Sequence, residues 1–504
     1  MGAAHPTPGK PSIHCALLSA AIVVSPALAL PAEAAQADLT ATASGGSRGA
    51  LLAPSPPSPP EKAEAAPVAF AAPAPSAPPP APLSALPGGV LEASRWSAGF
   101  QSTYVYQYKP AFSAAYTGPN SLLTTAESGY TLTATLFLGV SPWAGGEVFF
   151  NPEVIQSQEL SHLTGLGGLT NGENQKTGGA LPNLYRARLF LRQTIPLGGE
   201  RSLAEAGPNQ FGGEVDSRRL VITAGNFAVT DVFYGNTFAH DPRTQFLNWS
   251  LMTYGASDFA ADSRGYTWGF ALECDLDQWA LRAGRFAQPK QSNGLALDYD
   301  LLSHYGDSVE VERGHVLWGR GGKVGLAGWR NHARMGGFRD ALAYARANGG
   351  TPDVANVRRD QTKYGFGVNL EQEVSKDVGL FARYSYNDGQ TEAYAFTEIE
   401  RSLIAGLSVK GRTWGRAEDT LGVAYVQNGL SRAHQDYLAA GGLGFFIGDG
   451  RIDYRPERIV EAYYSFNAFR GLWFSVDGQH IANPAYNASR GPVNVFGCRF
   501  HLEH

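Results

Sequence analysis

The sequence predicts an all-β fold: a closed antiparallel transmembrane β-barrel of about 16 strands, with long external loops, one of them folded into the lumen, and a disordered N-terminal leader. Three observations predict it. Apolar and polar residues alternate with a period of two along many segments, giving each an apolar and a polar face. The links between those segments alternate between short and long. The last segment keeps the alternation, with Phe496, Cys498, Phe500 and Leu502 on one face and Gly497, Arg499, His501 and Glu503 on the other. Alone, that segment would suit a soluble sandwich equally well; the other two observations decide for a barrel.

In chain order, residues 1–37 read as a secretory signal. Lys10 gives a weakly positive start, Ala16 to Leu30 supply an apolar stretch, and small-residue cleavage patterns follow at Ala32-Glu33-Ala34 and Ala35-Gln36-Ala37. Residues 38–93 form a different material. Thirteen of the 31 prolines fall between Pro54 and Pro87, among Ala and Ser, a composition that buries no core and favours extended, solvated chain. A periplasmic leader is expected there.

The barrel is expected over 94–504. Its strands are predicted near 95–108, 128–140, 145–152, 184–196, 217–226, 264–276, 278–287, 307–317, 320–330, 360–373, 377–387, 394–409, 413–427, 457–469, 470–481 and 491–504. Along 363–371, Tyr364, Phe366, Val368 and Leu370 oppose Lys363, Gly365, Gly367, Asn369 and Glu371. Ser141 to Ala144, Asp277 and Arg470-Gly471 make short turns, while 153–183, 227–263, 288–306, 331–359 and 428–456 are long. The link 197–216 breaks the parity by being long on the short side. Aromatic residues near strand ends, such as Trp96, Trp143 and Trp279, suit the lipid interfaces. The final strand should pair with the first, and Arg499, His501 and Glu503 should line the periplasmic mouth.

The bulk numbers agree. The net charge of −5 lacks the clustered cations that nucleic acid requires. A mean hydropathy of −0.19 is compatible with a membrane barrel, because lumen residues and loops dilute the apolar face. No run of 18 or more apolar residues indicates a spanning helix. Cys15 falls in the signal, and Cys274 and Cys498 read as lone thiols on apolar strand faces. No cofactor, metal or catalytic group is expected. Two histidines on neighbouring strands, His480 and His501, make no metal site without a third ligand. Ser303-His304 is the nearest hint of a hydrolase and has no evident acid partner.

Several ordered segments resemble the OprB-type carbohydrate-selective porins. They include Gly225-Asn226-Phe227, Asp231-Val232-Phe233 and His240 through Trp249; Ala261 through Gly269; Trp279 through Phe286; and Gln479-His480-Ile481, Asn483 through Asn487 and Arg490 through Asn494. The resemblance covers about 220 to the end, and 95 onward more loosely. It implies a sixteen-stranded outer-membrane barrel that admits mono- or oligosaccharides by diffusion, in contact with outer-membrane lipid and typically as a homotrimer. One departure is His504. Such barrels usually end on an aromatic residue that the assembly machinery reads.

A diffusion pore needs a constriction lined by groups that replace water around the solute. The strongest candidate is loop 227–263, rich in aromatic residues that an exposed loop would not need. Asp241-Pro242 reads as a helix start. Asp241, Arg243, Asn248, Trp249 and Asp258 are the candidate solute contacts; the blander alternative is that they anchor the loop to the wall. A second candidate is the ladder Arg186, Arg188 and Arg192. Arginine in hydrocarbon costs about 2–4 kcal/mol at the midplane, so these residues, with Arg282, Arg383 and Arg499, should face the lumen. Acids at Glu461, Asp477, Glu371 and Glu273 could face them and set up a transverse field. Unpaired arginines would instead favour a general ion-selective porin with anion preference. Asp307, Glu310 and Glu312 read as solvated lumen charges.

Overall fold

The computed structural model describes residues 95–504 apart from 175, 177 and 178. The expected signal segment and leader lie outside the described residues. The barrel opens with β1 (Trp96–Lys109), β2 (Glu127–Trp143), β3 (Gly146–Gln158) and β4 (Asn183–Pro196). A small hairpin of β5 (Arg201–Ala204) and β6 (Gly213–Asp216) precedes β7 (Arg218–Phe227). There follow β8 (Thr267–Leu276), β9 (Trp279–Ala287), β10 (Tyr305–Leu317), β11 (Arg320–Met335), β12 (Arg359–Glu373) and β13 (Val378–Asn387). The last strands are β14 (Arg401–Lys410), β15 (Thr420–Gly429), β16 (Glu457–Phe469), β17 (Leu472–Ala482) and β18 (Val493–Glu503). Short helices α1 (Trp249–Met252), α2 (Phe338–Asn348) and α3 (Arg432–Ala439) lie in the long links.

All the strands except β5 and β6 form one closed sheet of 16, each paired with its sequence neighbour. The sheet closes where β18 meets β1 antiparallel, from Gln101 opposite Glu503 to Tyr108 opposite Phe496. Closure leaves no unpaired edge, the condition for strands to cross a bilayer. Alternation places Phe366, Leu370, Leu403, Val460, Val476 and Phe496 on the outer face, exposed. Their neighbours in sequence point into the lumen.

Two expected strands start elsewhere. The segment 394–400, predicted as the start of a strand, is a loop, and β14 begins only at Arg401. Its apolar side chains are satisfied by burial inside the barrel, and the amides of Tyr394, Ala395 and Phe396 all donate to Asp258 instead of to a neighbouring strand. Similarly, 413–419 precedes β15 as a turn. Conversely, β3 runs on through Pro152, the expected end of this strand, to Gln158.

That proline marks a bulge. Asn151 faces Arg188 but Pro152 faces Arg186, so Ala187 is an extra residue on β4. The slip reverses the parity of everything before it. Tyr185 turns inward and Arg186 turns outward, exposed on the barrel wall with its guanidinium 5.4 Å from the Trp268 ring. Arg186 therefore does not share the lumen with Arg188 and Arg192, contrary to the simple count of two. Asp307 also points outward, where Arg285 and Arg330 both bind it.

Candidate functional site

The long link 228–266 enters the barrel. Every residue from Phe246 to Ala261 is buried. Aromatic side chains explain why. Phe246 packs against Phe381 and Tyr463 on the wall, with ring centroids 5.7 and 4.8 Å apart. Tyr254 stacks on Trp329 at 5.9 Å, and Trp249 meets Phe396 at 5.1 Å. The wall makes room with glycine: a Cβ on Gly367 would lie 2.6 Å from the Tyr254 ring.

The loop's polar groups are met one by one. Arg188 grips Asp231 with two bonds of 2.7 Å, just after β7. Glu310 accepts the Tyr234 amide at 2.8 Å and Glu371 the Thr237 amide at 2.7 Å. Asp241 does not start a helix. Its carboxylate accepts the Arg243 amide and the Thr244 hydroxyl, closing a single turn, and α1 starts later, capped by the Asn248 side chain on the Ser250 amide. Arg243 spans two carboxylates, Glu153 on β3 at 3.1 Å and Glu173 of the preceding long link at 3.0 Å. Glu461 accepts the Leu247 and Asn248 amides, and Asn248 Nδ2 donates to Gln479. Asp258 takes Lys363 at 2.9 Å besides its three amides. Burial works against this carboxylate, but Lys363 and those amides hold its pKa below the usual range.

Two wall arginines hold backbone rather than carboxylates. Arg383 donates to the Leu251, Thr253 and Tyr234 carbonyls. Arg499 donates to the Pro242 and Gln245 carbonyls at 2.6 and 2.7 Å, so it reaches the loop instead of lining the periplasmic mouth as expected.

The candidate residues thus fall into three places. Asp241, Arg243, Asn248, Trp249, Asp258, Glu461 and Arg188 converge on the buried loop, and their contacts are those of anchors. Arg192 and Arg282 lie half-buried nearer the short-turn rim. Arg192 pairs with Glu147, and Arg282 with Glu273, Glu310 and Glu312. These partners sit on adjacent strands, so acids and bases neutralise each other along one sector and do not face each other across the lumen. Glu310 and Glu312 are therefore paired. Arg186 is outside. His304 bonds Asp298 and Asp360, so it has the acid partners that the sequence did not reveal, and the Ser303 amide goes to Asp300.

Four anchors were not anticipated: Glu153, Glu173, Asp231 and Lys363. Continuing the alternation Phe149, Asn151, Glu153, Ile155 through Pro152 would have found the first. Alternation put Lys363 on the lumen face, but nothing local identified the partners of Glu173, Asp231 and Lys363, which lie 43 to 105 residues away.

His240 adds a pH response. Its Nδ1 bonds the Met252 carbonyl at 3.0 Å, and burial, with Arg383 nearby, lowers its pKa from 6.5 to about 4. With the loop released, His240 binds a proton below 6.5; docked, it binds one only below about 4. Docking is therefore fully stabilised above 6.5 and weakens as pH falls from there towards 4. Single-channel recordings should show more loop-opening noise at about pH 4.5 than at about pH 7, and His240→Gln should flatten that difference.

A family model described as carbohydrate-selective porin, OprB family, matches residues 138–503. Among solved structures, the high-pH structure of Pseudomonas putida OprB is similar with a TM-score of 0.61 and 15% identity, covering 81% of this chain and 94% of that one. The outer membrane channel DcaP of Acinetobacter baumannii gives a TM-score of 0.47 and 10% identity, covering 81% and 97%. Pseudomonas aeruginosa OccK2 gives 0.41 and 10%, covering 81% and 98%. No curated protein sequence matches the chain.

Proposed function

This chain belongs to the OprB family of carbohydrate-selective porins and is an outer-membrane β-barrel channel for carbohydrates, and we propose that its buried loop 228–266 sets what passes. The observation that carries this reading is the unbroken burial of 246–261 inside the barrel. A loop held there narrows the lumen to a path whose walls must replace the water around a mono- or oligosaccharide. Half-buried Arg192, Arg282, Lys323, Glu147 and Glu312 offer donors and acceptors to sugar hydroxyls below the loop. Their pairing leaves little net field, which favours neutral solutes over the anion-preferring alternative. Transport is passive, with no catalytic step. The further assignments are a signal over 1–37, a periplasmic leader over 38–93, lipid against the apolar outer face and a homotrimer. The last rests on family resemblance, and light scattering of the detergent-solubilised protein tests it.

Deleting part of 243–253 should raise single-channel conductance and speed liposome swelling by sugars. A deletion variant that folds with conductance unchanged would remove the loop from this role. Reversal potentials in salt gradients separate the sugar porin from an ion-selective one.

A further inference from the structure

The link 197–217 breaks the rule of short turns on its rim, and its tip folds back into the lumen. Up to Ala204 and from Gly213 it is a hairpin, tied by Arg201 to Glu214 and Asp216. Between them, 205–212 reaches side chains that point inward from the barrel wall. Asn151 Nδ2 donates to Asn209 Oδ1 at 2.9 Å, and Arg192 donates to the Asn209 carbonyl at 2.8 Å. The Phe211 ring lies 5.7 Å from that of Phe149. Phe149 and Asn151 stand three and five residues inside β3 from its start at Gly146, so the tip enters well past the rim.

We propose that this tip is a second constriction, on the periplasmic side, that contacts the sugar as it leaves. The proposal rests on the porin reading above and adds a site to it. Two features point to a sugar ligand. Asn151 Oδ1 and Asn209 Nδ2 are buried without a partner among the described residues, an acceptor and a donor on two neighbouring amides. A sugar hydroxyl both donates and accepts, the complement these two occluded atoms need once the tip shifts to uncover them. Beside them, half-buried Phe211 offers an apolar face of the kind that sugar C–H groups stack on. The ion pair of Arg192 with Glu147 borders the same space and fixes the guanidinium that holds the tip. A solute passing the long loop would then meet a second filter before the periplasm, one that adds amide and aromatic groups to a neutralised ion pair.

The test uses the full chain in planar bilayers and liposomes. One variant deletes 201–216. Its ends are already joined, since the Ser217 amide donates to the Glu200 carbonyl at 2.8 Å. A second, Asn209→Ala with Phe211→Ala, keeps the hairpin and removes only the tip's contacts. Both should raise conductance, the deletion by about twofold, and both should reduce the discrimination between mono- and oligosaccharides in swelling assays. Unchanged conductance and unchanged sugar discrimination in both variants would overturn the proposal. Failure of the wild type to pass any sugar would instead overturn the porin reading, and the conductance change in the same variants would still report whether the tip narrows the lumen.

Discussion

Arg243→Ala is expected to open the channel and destabilise the barrel together. Arg243 is 4% exposed, and its two partners, Glu153 and Glu173, are at 0% and 1%. Removing one guanidinium leaves two buried carboxylates facing each other. Breaking a buried pair in this way costs about 3–5 kcal/mol, because an uncompensated charge remains in low dielectric. The barrel can lower that cost by letting water in, and the loop is the part free to move. Glu173 lies on the neighbouring long link, so both links lose their tie to β3 at once. Heat-modifiability on gels should show unfolding at lower temperature, and single-channel traces should show larger, flickering conductance. Arg243→Lys should recover only part of either, since one ammonium cannot reproduce the fork that spans both acids. Wild-type conductance in the alanine variant would show that the loop is held by its aromatic packing alone.

The second large effect is expected at Asp258. This carboxylate, at 0% exposure, neutralises Lys363, at 3%, and receives the amides of Tyr394, Ala395 and Phe396. It ties three segments: the long loop, β12 and the link before β14. Asp258→Ala orphans three amides and strands a buried ammonium, a loss again on the order of 3–5 kcal/mol. Asp258→Asn keeps one acceptor but still strands the charge. Lys363→Met combined with Asp258→Asn should recover a substantial part of the stability, because it removes the unpaired charge along with its partner. The interaction measured in that double-mutant cycle reports the pair itself. Strict additivity of the two substitutions would mean that the ion pair is not what holds these segments together.

Much of the barrel could be read without coordinates, for a simple physical reason. A strand between lipid and lumen must alternate at every second residue, so each strand announces itself locally. The segments around Phe366, Trp268 and Phe474 did so, and the closure of β18 on β1 followed from the count. Errors arose where the local pattern had a second physical use. Tyr394 to Ile399 are rich in strand-forming residues, yet their apolar side chains fill the lumen and Asp258 takes the amides of Tyr394, Ala395 and Phe396. On β4, one extra residue at Ala187 moved Arg186 from lumen to outer wall, and a bulge leaves no mark in a period-two count beyond Pro152 on the partner strand.

The sequence by itself determined the class of the protein: a sixteen-stranded barrel, its order, its apolar outer face and a long aromatic loop too apolar to stay in water. Those properties depend on residue type and on spacing within a few positions. Only the tertiary structure decided what the charged residues do. It showed Arg243, Asp258, Glu461, Arg383 and Arg499 engaged as anchors of the loop, and it turned the odd link at 197–217 back into the lumen. The partners in each case lie tens to hundreds of residues apart. A buried charge takes whichever opposite charge or carbonyl the closed barrel brings within hydrogen-bond reach of it, and that choice is written in the register of the whole sheet, not in any one segment.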